Sequence, residues 1–108
     1  MRLLSFGEIL WDVYPSEKHI GGAPLNFAAH FAKQGGESYI LSTIGNDELG
    51  KSALKLLSNW NIKTDYVLVS QTKETGKCLV TLDSKGIPSY NILDNVAYDY
   101  IKNRICQI

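Results

Sequence analysis

Two periodicities alternate along the N-terminal half of the chain, and their order constrains the fold more than any other feature. Leu3 to Phe6 is a short apolar run closed by Gly7, which reads as a buried strand. Ile9 to Tyr14 then alternates, with Ile9, Trp11 and Val13 on one face and Leu10, Asp12 and Tyr14 on the other. Pro15 to Lys18 is a polar turn. Helical spacing takes over at Pro24, whose missing N–H suits a first turn. Leu25, Ala28, Ala29 and Ala32 recur at i, i+3, i+4 and i+7, and Gly35-Gly36 stops the helix after about Lys33. A strand returns over Tyr39 to Ile44. Leu49, Ala53, Leu56, Leu57 and Trp60 then mark the core face of a second helix, with Asp47 and Glu48 at its positive dipole end. Strand, strand, helix, strand, helix is the order of an α/β layered sheet with at least one crossover.

Beyond Tyr66 the rhythm is strand-like over Tyr66 to Val69, Lys77 to Leu82 and Ser89 to Leu93, with Asp83 to Gly86 as a hairpin turn and Asp99 to Ile105 starting a helix. So few helices seldom complete a doubly wound sheet, and the chain reads as truncated. Its 108 residues are 44% hydrophobic, enough for a packed core. Eleven Lys and Arg balance eleven Asp and Glu, which supplies no basic field for nucleic acid or an anionic membrane. No apolar run approaches the ~20 residues of a bilayer helix, and no signal peptide is read at the N-terminus. Cys78 and Cys106 match no zinc spacing, and His19 and His30 have no metal-ligand neighbours in sequence. Cys78 is expected to be a buried, inert thiol, and the cytoplasm is the expected location.

Gly45 to Ser52 satisfies G-x-x-x-x-G-K-[ST] letter for letter between a strand and a helix, which raises a nucleotide phosphate loop and a nucleotidase. The charges oppose it. Asp47 and Glu48 put two carboxylates where phosphates would lie, and the apolar face already begins at Leu49, so a plain strand-to-helix connection fits better.

Gly21-Gly22-Ala23-Pro24-Leu25-Asn26 suits a neutral ligand better. Two glycines allow close approach to the backbone, a helix N-terminus offers free amides, and Asn26 offers a donor and an acceptor. Asp12 could accept two hydroxyl hydrogen bonds from a polyol. The plainer alternative makes Asp12 a surface charge and the glycines a turn. Trp11 and Tyr14 could stack on a sugar ring or pack in an interface.

Gly7-Glu8-Ile9-Leu10-Trp11-Asp12, the Gly21-Gly22-Ala23-Pro24-Leu25-Asn26-Phe27-Ala28 segment, Gly35, and Ile44-Gly45-Asn46-Asp47-Glu48-Leu49-Gly50 together resemble the N-terminal signature of the ribokinase-like, or PfkB, sugar kinases, and among them the fructokinases. The resemblance implies a ribokinase-like sheet flanked by helices with a small β lid, and makes residues 1–108 the N-terminal third of such a domain, with lid strands at about 9–20 and 66–93. It also implies sugar contacts from Asp12, Gly22 and Asn26, with Gly21 shaping the turn. ATP and Mg²⁺ would serve the full-length enzyme, which would phosphorylate a primary hydroxyl, most simply of fructose. Lids of this kind often pair between subunits, implying a homodimer. Departures stand beside the likeness. Asn46 replaces the first Asp of a Gly-Asp-Asp-x-x-Gly turn, and Asp94-Asn95-Val96 stands where fructokinases carry Arg-Asn-Pro. The Gly-x-Gly-Asp motif bearing the catalytic base does not occur in these residues. The chain alone is therefore expected to be inactive, and a truncated module that binds sugar or dimerises is the alternative.

Overall fold

The computed structural model describes residues 2–100. In chain order the elements are β1 (Arg2–Phe6), β2 (Leu10–Val13), β3 (Lys18–Gly21), α1 (Ala23–Lys33), β4 (Glu37–Gly45), α2 (Glu48–Asn59), β5 (Ile62–Lys63), β6 (Val67–Ser70), β7 (Gly76–Leu82) and β8 (Pro88–Ile92), with a 3-10 turn at Ala97–Tyr100. The expected helix over Asp99 to Ile105 meets this turn at its start, and the rest of it, with Cys106, lies outside the described residues.

β4 is the spine of a parallel sheet. β1 runs along it from Arg2 opposite Glu37 to Phe6 opposite Leu41, while β5 and then β6 follow each other along it, Ile62 opposite Ser38 and Val67 opposite Ser42. α1 lies close against this sheet because its buried stripe is Leu25, Ala28 and Ala32, two of them methyl groups. The Ser38 hydroxyl donates to the Ala28 carbonyl at 2.8 Å across that short gap. Leu25, Ile40, Ile44, Leu57 and Ile62 fill the layer, each contributing about 1.5–3 kcal/mol by burial. Two expectations fail here. β1 is not buried on both faces, since Leu4 and Phe6 are about half exposed and the described residues cover the opposite side of the strand. Trp60 leaves the core face, because α2 ends at Asn59 and Trp60 caps it with its ring 39% exposed.

The second sheet has the order β3-β2-β7-β8. β2 pairs antiparallel with β3 and parallel with β7, and β7 turns back into β8. The turn was legible: Asp83 Oδ1 accepts from the amides of Lys85 at 2.8 Å and Ile87 at 2.9 Å. Val67–Ser70, grouped above with the lid strands, pairs instead with β4, because its apolar residues extend the main sheet beyond β5. Trp11 ties the two layers together. Its ring is 3% exposed and its Nε1 donates to the Leu49 carbonyl of α2 at 3.0 Å, so it packs inside and does not stack on a ligand. The architecture is a mixed α/β fold, with a parallel sheet carrying helices and a separate mixed sheet.

Candidate functional site

Period two assigns the faces of the second sheet. Leu10, Asp12 and Tyr14 share a side of β2, and the registers add Gly21 and His19 from β3, Gly76 and Cys78 from β7, and Ile92 and Tyr90 from β8. Cys78 sits directly opposite Asp12 and is 3% exposed, as expected of an inert thiol. Tyr14 meets His19 edge to face at 5.7 Å between centroids. Partial burial first, then Tyr90, Asp12, Glu17 and Cys78, hold the Tyr14 phenol above the usual tyrosine range, so it stays a neutral donor beside Asp12. Lys18 points to the other side, over the Trp11 ring at 5.1 Å.

Gly22 joins this face to α1. It is the N-cap residue at φ 112°, which favours glycine, and a side chain there would stand 2.6 Å from the Glu8 carbonyl oxygen. No side chain caps the helix, which leaves first-turn amides free beside Asp12's sheet. Asn26 is one turn further. Its amide donates to the Gly22 carbonyl at 3.0 Å, and the residue lines an open cleft of about 690 Å³ with Ala29, His30, Lys33, Asn59 and Trp60. The structure thus brings Asp12, Gly21 and Gly22 together, while Asn26 borders a cleft running towards the far end of α2.

The segment 45–52 is not a phosphate cradle. Asp47 Oδ1 accepts from the Gly50 amide at 2.8 Å and the Thr75 hydroxyl at 2.6 Å, and its Oδ2 accepts from the Thr75 amide at 2.9 Å. The Gly45 amide donates to the Thr75 hydroxyl oxygen at 2.9 Å. With the Asn46 amide on the Ser70 carbonyl and the Lys51 amide on the Asp47 carbonyl, four amides of the loop are already satisfied within the protein, and a carboxylate sits where a phosphate would. Burial opposes ionisation of Asp47, but these hydrogen bonds from Thr75 and Gly50, aided by Lys77, outweigh it and hold the carboxyl below its usual range. Lys51 is exposed, 3.7 Å from Glu48.

Sequence reasoning missed Thr75, Gly76 and Tyr98. Thr75 is fully buried at the root of β7, and a side chain at Gly76 would run into the Tyr98 ring. Thr75-Gly76 before a strand was an available signal. Tyr98 lies in the short 3-10 turn after β8, where four residues carry no usable period. Among the described residues no group of three His, Cys, Asp or Glu could hold a metal ion, and no helix is long and apolar enough to cross a membrane.

Known proteins share this sequence and shape. The description "pfkB family carbohydrate kinase" fits residues 5–104. An uncharacterized sugar kinase of Pyrococcus horikoshii is 38% identical over 89 residues, 82% of this chain and 28% of the relative. Its crystal structure matches with a TM-score of 0.80 at 33% identity, covering 91% of this chain and 36% of that one, and it has also been crystallised with ATP. Fructokinase-2 of Zea mays is 30% identical over 111 residues, 92% of this chain and 33% of the relative. A fructokinase structure from Vibrio cholerae gives a TM-score of 0.84 at 25% identity, covering 90% of this chain and 35% of that one. The chain spans about a third of the length of these relatives. With the family description covering almost the whole of it, and the matched structures superposing on about 90% of it, the chain belongs to the pfkB family of carbohydrate kinases.

Proposed function

We propose that this chain is the sugar-binding portion of an ATP-dependent carbohydrate kinase that phosphorylates a primary hydroxyl, with fructose as the preferred sugar. One observation carries the reading: Asp12 and Gly21 share a face of the second sheet, and Gly22 abuts it at the uncapped N-terminus of α1. A carboxylate there accepts hydroxyl hydrogen bonds, and the helix amides donate to sugar oxygens. Asn26, in the first turn of α1 and on the neighbouring cleft, would add a donor and an acceptor to a sugar that reaches past Gly22. The second sheet acts as the lid that keeps water from the sugar, and fixing the hydroxyls on Asp12 orients the acceptor hydroxyl for transfer.

ATP and Mg²⁺ belong to the whole enzyme and supply its phosphoryl group and charge neutralisation. Residues 45–52 do not fit a nucleotide, because the Asp47 carboxylate and Thr75 fill that turn, and the catalytic base would come from outside these 108 residues. A cytoplasmic location belongs to the same proposal, as does a homodimer through the second sheet. Exposed Leu79, Leu82 and Ile92 on β7 and β8 support that dimer, and β8 ends the sheet among the described residues.

The test is an NMR titration of the ¹⁵N-labelled chain. Fructose is expected to move the amides of Asp12, Gly21, Gly22 and Asn26 saturably, while ATP with Mg²⁺ moves none around Lys51. Saturable shifts at Gly50 and Lys51 with ATP, and none with any sugar, would replace this reading with the phosphate loop.

A further inference from the structure

Tyr98 lies outside every motif that pointed to the site, yet its ring occupies a defined place on Asp12's face. Parallel register sets Gly76 opposite Leu10 and Cys78 opposite Asp12, so the missing side chain of Gly76 would point to the same side as the Asp12 carboxylate. That direction is filled by the Tyr98 ring. The Leu10–Gly76 pair beside the ring and the Asp12–Cys78 pair are two residues apart along the sheet, a backbone interval of about 7 Å, which is close to the breadth of a monosaccharide with its hydroxyls.

The ring is not needed to anchor its own segment. Val96 and Ala97 are fully buried, the Ala97 amide donates to the Glu74 carbonyl at 2.7 Å, and the Leu93 amide donates to the Lys77 carbonyl at 3.1 Å. Asp99 closes the turn by accepting from the Val96 amide at 3.1 Å. Those contacts fix the backbone while Tyr98 itself remains only half buried. Burial first, then Asp99, Glu8, Asp94 and Cys78, raise the Tyr98 phenol, which keeps it neutral amid carboxylates. An aromatic floor beside the Asp12 carboxylate is suited to a neutral polyol: the C–H face of the sugar covers the ring and its hydroxyls donate to the carboxylate.

We propose that Tyr98 is a sugar-binding residue, its ring forming the floor on which the apolar face of the substrate lies while Asp12 holds its hydroxyls. This rests on the sugar-kinase reading above. It makes the interval between ring and carboxylate a determinant of selectivity, favouring uncharged ketoses and aldoses over sugars already carrying a phosphate, which the Asp12 carboxylate repels.

The experiment titrates fructose into the ¹⁵N-labelled chain carrying Tyr98, Tyr98→Phe or Tyr98→Leu, with amide dispersion checking the fold of each. The phenylalanine variant should bind within about twofold of the unaltered chain, and the leucine variant about tenfold more weakly, the loss of one aromatic stacking contact. A merely structural tyrosine would let leucine, of similar hydrophobicity, bind as well, and that result overturns the proposal while leaving the sugar-kinase reading intact. Should the leucine variant unfold, saturation transfer from the assigned Tyr98 ring protons to sugar C–H protons in the unaltered chain decides, and its absence from bound fructose overturns the proposal. No saturable sugar binding by the unaltered chain removes both readings.

Discussion

Asp47→Ala should be strongly destabilising for a substitution in a connecting loop. Its carboxylate caps α2 through the Gly50 amide and also receives the Thr75 hydroxyl and amide at 2.6 and 2.9 Å. Loss of the cap costs about 1 kcal/mol. Thr75 is fully buried, so its amide and hydroxyl lose their acceptor where water cannot replace it, at about 1–3 kcal/mol. A total near 3 kcal/mol is a large share of the ~5–15 kcal/mol that stabilises a domain. With a urea m-value of about 2 kcal/mol/M, the midpoint should fall by about 1.5 M. Buried Trp11 makes fluorescence a reporter of core unfolding. Thr75→Val and the double variant complete a cycle in which the two losses overlap. A loss below about 1 kcal/mol for Asp47→Ala, or strict additivity of the two substitutions, would refute the clasp.

Three further outcomes are expected. Because the folded carboxyl of Asp47 titrates below its ordinary 3.8, its contribution is fully present above that value and is lost as pH falls through the folded pKa; the stability gap between the unaltered chain and Asp47→Ala, measured in urea melts from pH 7 to pH 2, should narrow only below about pH 4. Gly22→Ala forces a side chain into positive φ and to 2.6 Å from the Glu8 carbonyl oxygen, so its midpoint should correspond to a loss of about 1–3 kcal/mol, with a shifted Glu8 amide resonance. Lys51→Ala removes an exposed charge, so in the full-length enzyme calorimetry should show no change in ATP binding, and stability should move by no more than about 0.5 kcal/mol.

Much of the main layer was legible because it is written in local spacing. Leu25, Ala28 and Ala32 announce α1, Asp83 to Gly86 announces the β7–β8 turn, and alternation from Ile9 to Tyr14 assigns Asp12 its face. β3 carries no periodic signal, because Lys18 and His19 are exposed polar residues beside a turn, and only the family resemblance, with a lid strand to about residue 20, reached it; β5 escaped because two residues carry no period. Trp60 was misassigned since spacing continues past the point where α2 stops. The parallel union of β2 with β7 joins residues far apart in sequence, and no local pattern encodes such a register. The same holds for the site. Asp47 reads as a dipole-favoured acid, but its Thr75 partner is 28 residues away, and Tyr98 reaches Asp12's face only through the 3-10 turn that follows β8.

The central claim is that the face bearing Asp12 binds a sugar, and Asp12→Ala tests it most directly. Asp12 is partly buried and its carboxylate makes no hydrogen bond or ion pair among the described residues, so the substitution should leave the unfolding midpoint nearly unchanged. Two charge-assisted hydrogen bonds of about 1.5–3 kcal/mol each would be lost with the carboxylate, which weakens binding about a hundredfold or more. Fructose titrations of the two chains, followed by amide shifts under identical conditions, should give saturable binding for the unaltered chain and none in the same concentration range for the variant. Equal dissociation constants would contradict the account.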